Sequence, residues 1–113
     1  MEIIERRTAE IVTLSLSGSL DATTAMAFEE KILAQIKSGE RRFVIDLAQL
    51  DYISSAGLRV FILAAKRLNS ANGKMVLCAL KDPVKEMFDI AGFLPVFSIH
   101  GSHDEAIKQL ALG

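Results

Sequence analysis

The first apolar pattern in the chain is an alternation over Ile11–Gly18. Every second residue from Val12 to Leu16 is apolar, and hydroxyl side chains fill the positions between them. A period of two is typical of a strand with one buried face. Because Glu2–Arg7 can pair with this strand through a turn near residues 8–10, the pattern predicts an opening hairpin at or near the edge of a sheet.

Two later runs are almost wholly apolar and predict strands that are covered on both faces. Phe43–Leu47 is interrupted only by Asp46, and Lys74–Leu80 follows an Asn-Gly turn signal. Strands of this kind lie in the centre of a sheet. The spacing of apolar residues between them predicts a helix over about Gly57–Ser70, which completes a strand–helix–strand unit.

Two further helices are marked by their end signals. Asp21 is placed to cap the first, and Gly39 follows its end. The other has Asp82 as its cap and Gly92 past its end. The inward stripe of the first helix is predicted to consist of Ala25, Phe28, Ile32 and Ile36.

The last elements are a short strand at Val96–Ile99 and a helix over about His103–Ala111, where Ser102 and Glu105 have capping-box spacing. Strands and helices alternate after the hairpin, which indicates parallel pairing with right-handed crossovers. The sequence therefore predicts a single α/β domain over residues 1–113. Its mixed sheet is expected to have about five strands backed by about four helices.

Composition and charge narrow the class of protein. The chain is 50% hydrophobic and 24% charged, which is the balance of a folded globular domain. Its net charge of −1 offers no large positive field, so we expect no direct nucleic-acid partner and no membrane partner. The single Cys78 cannot form an internal disulfide, and no apolar run approaches the ~20 residues of a membrane span. We expect a cytoplasmic protein.

Tyr52–Arg59, YISSAGLR, places two adjacent hydroxyls where a buried strand gives way to a helix. A serine nucleophile in such a turn would need a glycine on either side and a histidine as its base. Here Ile53 and Ala56 occupy the flanks, and His100 and His103 lie far along the chain. The pattern argues against a serine hydrolase.

Acidic side chains give no stronger case for catalysis. The two histidines and the neighbouring Asp104 form a polar cluster that is typical of a solvated turn rather than of a metal site. Asp46 could work with Asp21 and Asp51 in metal-dependent phosphoryl transfer, but no phosphate-binding loop or catalytic lysine completes the set. We expect Asp46 to bond loop amides, and we expect no enzymatic activity, metal or cofactor.

The helix after the two serines carries apolar residues outside its core stripe. At about 100° per residue, Val60 and Leu63 fall on the polar side together with Arg59. They could meet a protein partner, or neighbouring loops could cover them, and the sequence leaves both possibilities open. The core stripe itself is predicted to be Leu58, Phe61, Ile62, Ala65 and Leu68.

A phosphate on Ser55 would act as a switch at this surface. It would bring a charge of about −1.5 to −2 to the start of the helix. The amides and dipole of the helix N-terminus favour an anion, so we expect the helix to stay folded. A partner packed over the serine would instead meet steric clash and a desolvation cost.

Three segments in order carry a family resemblance: LSGSLDATTA (Leu16–Ala25), FVIDLAQLDYISSAGLRVF (Phe43–Phe61) and DPVKEMFDIAGF (Asp82–Phe93). They resemble the STAS domain family, and within it the bacterial anti-sigma factor antagonists. The resemblance implies a non-catalytic protein that binds an anti-sigma factor serine kinase and so releases a sigma factor. It also implies that this kinase phosphorylates the antagonist and ends binding, and that a serine phosphatase restores it.

The resemblance also assigns the site. The family's phosphoacceptor lies two residues before a glycine, which here implies Ser55. Many members carry an aspartate just before the acceptor, whereas this chain has Ser54, so Ser54 is a helix cap or the alternative acceptor. Asp21 caps a helix or borders the acceptor. The expected partner-binding residues are Asp21, Ser54, Ala56, Gly57, Arg59, Val60 and Leu63. The alternative function is a non-catalytic STAS scaffold or regulatory subunit of a larger signalling or transporter assembly.

Overall fold

A computed structural model describes residues 1–112 of the chain. Its elements are, in order, β1 (Glu2–Thr8), β2 (Ile11–Leu20), α1 (Ala25–Lys37), β3 (Arg42–Ile53), α2 (Ser55–Ser70), β4 (Lys74–Cys78), α3 (Asp82–Ile90), a 3-10 helix (Leu94–Val96), β5 (Ser98–His100) and α4 (His103–Leu112). The five strands form one sheet in sequence order, β1-β2-β3-β4-β5. This confirms the predicted fold class, including the mixed sheet and the four α-helices.

The β1–β2 hairpin is antiparallel, and the other three strand pairs are parallel. Ala9 takes the turn between the hairpin strands with a positive φ of 55°. β2 lies one strand in from the edge, and β3 is the central strand, as their apolar patterns predict. The hairpin and the parallel units therefore form as the sequence indicates.

The helices cover the two faces of the sheet unequally. α1, α2 and α3 contribute to one large core, in which Phe61 packs against Phe28, Phe88 and Phe97 with ring centroids 5.1 to 6.3 Å apart. The predicted stripe of α1 is buried in this core. On the opposite face α4 packs in a smaller cluster through Ala106 and Leu110.

Several element boundaries differ from the predicted ones. β3 continues to Ile53 rather than ending at Leu47, and β4 ends at Cys78. The last strand is three residues long and starts at Ser98, because Leu94–Val96 forms the 3-10 helix. Within residues 1–112, no helix is long and apolar enough to cross a membrane.

Two acids that were predicted as helix caps do not occupy the cap positions of their helices. α1 begins at Ala25, several residues after Asp21, and its cap position is Thr24. α3 has Lys81 at its cap position, and Asp82 is its first helical residue. Asp21 still caps the turn that leads into α1, because its side chain accepts from the N–H groups of Thr23 and Thr24 and its carbonyl accepts from the N–H of Ala25. Asp82 lies in the first turn of α3, where a negative charge suits the helix N-terminus.

Candidate functional site

Ser54 forms the junction between β3 and α2. Its backbone is extended, with φ −93° and ψ 173°, and its Oγ accepts a 3.3 Å hydrogen bond from the backbone N–H of Gly57. Its own N–H donates to the carbonyl of Leu20 at 2.9 Å. These are the features of an N-cap residue. The cap predicted for Ser54 is confirmed, and α2 begins at the next residue, Ser55, rather than at Gly57.

Ser55 is the first residue of α2, and its side chain is exposed. The first backbone N–H groups of a helix have no carbonyl partner within the helix, and Ser55 lies among them. It is at the positive end of a 16-residue helix. An anion attached to this hydroxyl would therefore meet favourable electrostatics from its own helix. The two neighbouring hydroxyls therefore have different environments: that of Ser54 caps the helix, and that of Ser55 is exposed.

Gly57 allows α2 to approach the strands closely. A Cβ at this position would lie 2.9 Å from Cγ of Leu20 and 3.0 Å from Cγ1 of Ile53, and both of those side chains are fully buried. Real Cβ atoms do not occur at such distances. Gly57 is itself buried and supports the site from beneath. The prediction that Gly57 contacts a partner at the surface is therefore wrong.

Asp21 organises the loop between β2 and α1. Its Oδ1 accepts hydrogen bonds from the backbone N–H groups of Thr23 at 2.9 Å and Thr24 at 3.0 Å. The bond from Thr24 is the main cause that lowers the pKa of Asp21 below its ordinary value. Because Leu20 binds the N–H of Ser54, the loop that Asp21 closes lies beside the two serines.

A cavity of about 220 Å³ opens next to Ser55, between α2 and the chain that follows α3. Phe93 reaches it because Gly92 ends α3 with a φ of 77° and the N–H of Phe93 returns to the carbonyl of Phe88. The wall is apolar apart from the serine and one arginine. It is lined by Ser55, Leu58, Arg59, Ile62, Ala91 and Phe93.

The apolar surface on α2 differs from the predicted one. Val60 is only 4% exposed and belongs to the main core, so its prediction as a surface contact is wrong. Val60 shares this core with the buried residues of α1, a helix that packs against α2. Leu63 is half-buried. Ile62, which was predicted for the core, is also half-buried and lines the cavity.

The sequence did not indicate Ile62, Ala91 and Phe93 as site residues. Gly92 was nevertheless a signal that the chain turns back at Phe93.

The residues weighed for catalysis are engaged in structural contacts. Asp46 accepts from the N–H of Ala48 at 3.1 Å and lies 3.6 Å from the guanidinium of Arg6. Asp51 pairs with Lys81. Across residues 1–112, no three His, Cys, Asp or Glu side chains form a group that could hold a metal ion.

His103 and Cys78 are packed against the opposite face of the sheet. His103, predicted as a solvated residue, is half-buried, and its Nε2 lies 2.8 Å from Oγ1 of the buried Thr13. That bond satisfies a hydroxyl that the core would otherwise leave unpaired. Burial raises the pKa of the Cys78 thiol to about 12, with a smaller contribution from Asp46. Cys78 is thus the small buried hydrophobe that its apolar neighbours predict.

Comparisons with known proteins identify the family of this chain. The STAS domain profile matches residues 2–106. BtrV of Bordetella bronchiseptica, assigned as an anti-sigma factor antagonist, is 48% identical over 91 residues, which cover 80% of this chain and 78% of BtrV. The anti-sigma-B factor antagonist of Listeria monocytogenes is 31% identical over 90% of both chains.

Solved structures extend the likeness to the whole fold. The anti-sigma factor antagonist SpoIIAA in its unphosphorylated form superimposes with a TM-score of 0.87 at 21% identity, over 97% of this chain and 96% of its own. The phosphorylated form of SpoIIAA from Bacillus gives a TM-score of 0.78 at 21% identity, over 96% of this chain and 99% of its own. On its sequence, its sheet and its three ordered motifs, the chain belongs to the STAS domain family, and its sequence relatives are anti-sigma factor antagonists.

Proposed function

We propose that this protein is an anti-sigma factor antagonist whose binding is switched by phosphorylation of Ser55. In the unphosphorylated form it binds an anti-sigma factor serine kinase, and the sigma factor held by that kinase is released. The kinase then phosphorylates Ser55 and dissociates, and a serine phosphatase restores the binding form. The observation that carries the proposal is the exposed Ser55 at the start of α2, directly beside an apolar cavity.

The physical basis of the switch is a change of charge beside an apolar contact. A phosphate adds about −1.5 to −2 charges at neutral pH and several strongly hydrated oxygens. A partner that packs over Leu58, Ile62 and Phe93 would have to desolvate that group or leave a gap. A cost of ~3 kcal/mol weakens binding about a hundredfold, because each 1.4 kcal/mol is a factor of ten.

The remaining site residues have supporting roles in this proposal. The Asp21 loop borders the acceptor, and Ser54 holds the helix start through its cap. Ala56, Arg59 and Leu63 flank the acceptor on α2 and offer the partner a mixed apolar and basic contact. The protein supplies no catalytic group and needs no cofactor, and it acts in the cytoplasm as a substrate and a binder.

The test is to incubate the protein with ATP and a purified anti-sigma factor serine kinase from the same organism, and to map phosphate by mass spectrometry. We expect phosphate on Ser55 in the wild type and none in Ser55→Ala. The matched control is Ser54→Ala, which keeps the acceptor and should still be modified. Phosphate on Ser54 would reassign the acceptor, and phosphate on neither serine would favour a scaffold or regulatory subunit of a larger assembly.

A further inference from the structure

The cavity beside Ser55 is the first part of a longer groove along α2. Ile62 lines both this cavity and a second one of about 420 Å³, and the second shares Ala65, Asn69 and Val96 with a third of about 220 Å³. Ser55 and Asn69 are 14 residues apart on α2, which at 1.5 Å per residue corresponds to about 21 Å. The groove therefore has the length of about four helical turns.

One face of α2 forms one side of this groove. Ser55, Arg59, Ile62, Lys66 and Asn69 follow the spacing i, i+4, i+7, i+11 and i+14, so they share one line along the helix. The chain after α3 forms the other side through Ala91, Phe93 and Val96, and Val96 is 58% exposed. Together these residues outline a row of adjoining, largely apolar cavities that are open to solvent.

The charges along the groove all have one sign. Arg59, Lys66 and Lys74 are its only charged lining residues, although the whole chain carries a net charge of −1. Throughout residues 1–112, ion pairs form elsewhere and involve none of these three side chains. An apolar channel with unpaired basic groups along it is complementary to a ligand that is apolar on one face and acidic at its edges.

We propose that this groove binds an acidic amphipathic helix of the partner protein, with the helix N- or C-terminus reaching Ser55. The inference rests on the proposed function, which makes that partner the anti-sigma factor kinase. Helices that bind in grooves insert apolar side chains at i, i+3, i+4 and i+7, and a 21 Å channel accommodates about four turns of such a helix. A membrane surface is nearly flat and fits a concave channel poorly.

The groove also explains why one phosphate could end binding. Ser55 is in line with Arg59 at i+4, so a phosphate there would compete with the partner's carboxylates for this guanidinium. It would also place negative charge at the mouth of a channel whose ligand is acidic. The same modification thus removes an attraction and adds a repulsion.

The first test measures binding of the kinase by biolayer interferometry to the wild type, to Lys66→Glu/Lys74→Glu and to the control Lys108→Glu. Lys108 is an exposed basic residue of α4, on the opposite face of the sheet. We expect the double variant to bind at least about tenfold more weakly and to lose most of its salt dependence, and the control to bind like the wild type. If the double variant binds as tightly as the wild type, the inference that the groove binds an acidic helix is wrong, while the proposed function is unaffected.

The second test needs no kinase. A synthetic 18-residue amphipathic helix with a leucine face and glutamate edges is titrated into the isotope-labelled full chain, and the control peptide carries lysine in place of glutamate. We expect the acidic peptide to shift the NMR signals of Ile62, Ala65 and Val96, and the basic peptide to leave them unchanged. Equal shifts with both peptides, or no shift with either, would overturn the inference, whatever the kinase does.

Discussion

Ser54 and Ser55 are identical in chemistry and adjacent in sequence, yet they differ in what surrounds their hydroxyls. The Oγ of Ser54 accepts the N–H of Gly57, while the side chain of Ser55 is exposed. The sequence could predict that one serine caps and the other is free, because a cap must precede the first helical residue. It could not show that Gly57 is buried, since that depends on how closely α2 approaches Leu20.

Replacing Ser54 with alanine should destabilise the protein by about 1 kcal/mol, because one amide of the first turn of α2 loses its side-chain acceptor. Urea denaturation followed by circular dichroism measures the change. Ser70→Ala is the matched control, since Ser70 is the exposed last residue of α2, and its replacement should stay within about 0.5 kcal/mol of the wild type. Equal stability of the two variants would contradict the capping role.

Gly57→Ala should destabilise the protein by up to about 2 kcal/mol, because the strain of about 1–3 kcal/mol against buried side chains is only partly offset by the helix-propensity gain of alanine, which is about 1 kcal/mol. The new Cβ would meet Leu20 and Ile53 at 3.0 Å or less. Gly101→Ala is the control, since the nearest atom there is 3.6 Å away. Thermal unfolding of both variants is the measurement, and a stabilised Gly57→Ala would show that α2 can shift freely.

At the scale of elements, hydrophobic patterns predict which strands and helices exist better than where they end. β3 runs to Ile53 although its second half contains Gln49 and Asp51. Beyond Asp46 this strand pairs with β2 alone, so polar residues in that half remain accessible to water. Pairing on one side cannot be read from the sequence, because it depends on the length of the neighbouring strand.

The surface of α2 illustrates the same limit. A helical wheel correctly orders its residues by angle, but it does not say which neighbour covers each flank. Val60 is buried in the core that α2 shares with α1, whereas a cavity remains at Ile62, beside the turn after α3. Of the apolar contact surface predicted on α2, Val60 belongs to the core, whereas Leu63 is half-buried and the neighbouring Arg59 lines the cavity.

The loop between β2 and α1 should respond to acid. The folded pKa of Asp21 lies below its ordinary value of 3.8, so its hydrogen bonds to Thr23 and Thr24 stabilise the fold above that pH and are lost as pH falls through the folded pKa. Asp21→Asn should therefore be less stable than the wild type at about pH 7, and the gap should narrow at about pH 2.5. Urea denaturation at both values checks this. A gap that widens in acid would show that the carboxylate is not the stabilising form.

At the scale of the whole molecule, the three helices on one face of the sheet gather the candidate site, and α4 closes the other face. The order of elements and the mixed sheet followed from local patterns because alternation after the hairpin leaves few topologies. The groove could not be predicted from local patterns, because it lies between α2 and the later segment that contains Val96. In that segment a 3-10 helix replaces the predicted start of a strand.

Ser55→Asp should fold like the wild type and bind the kinase about a hundredfold more weakly, in keeping with a cost of ~3 kcal/mol. The negative charge suits the helix start, so unfolding should not account for the loss. Isothermal titration calorimetry measures affinity, and thermal unfolding shows that the fold is retained. Ser55→Asn is the neutral control of similar size and should bind more tightly than Ser55→Asp. Equal binding by the two variants would mean that charge is not what the kinase senses.

The close contact of Gly57 with Leu20 and Ile53 has a consequence for timing. At Gly57 the helix is so close to its strands that no methyl group fits between them. Phosphorylation of Ser55, as we propose it, would then change the charge at the start of α2 while the position of the helix stays the same. No slow rearrangement would be needed. In the proposed switch, the response time would then be set by the turnover of the kinase and the phosphatase.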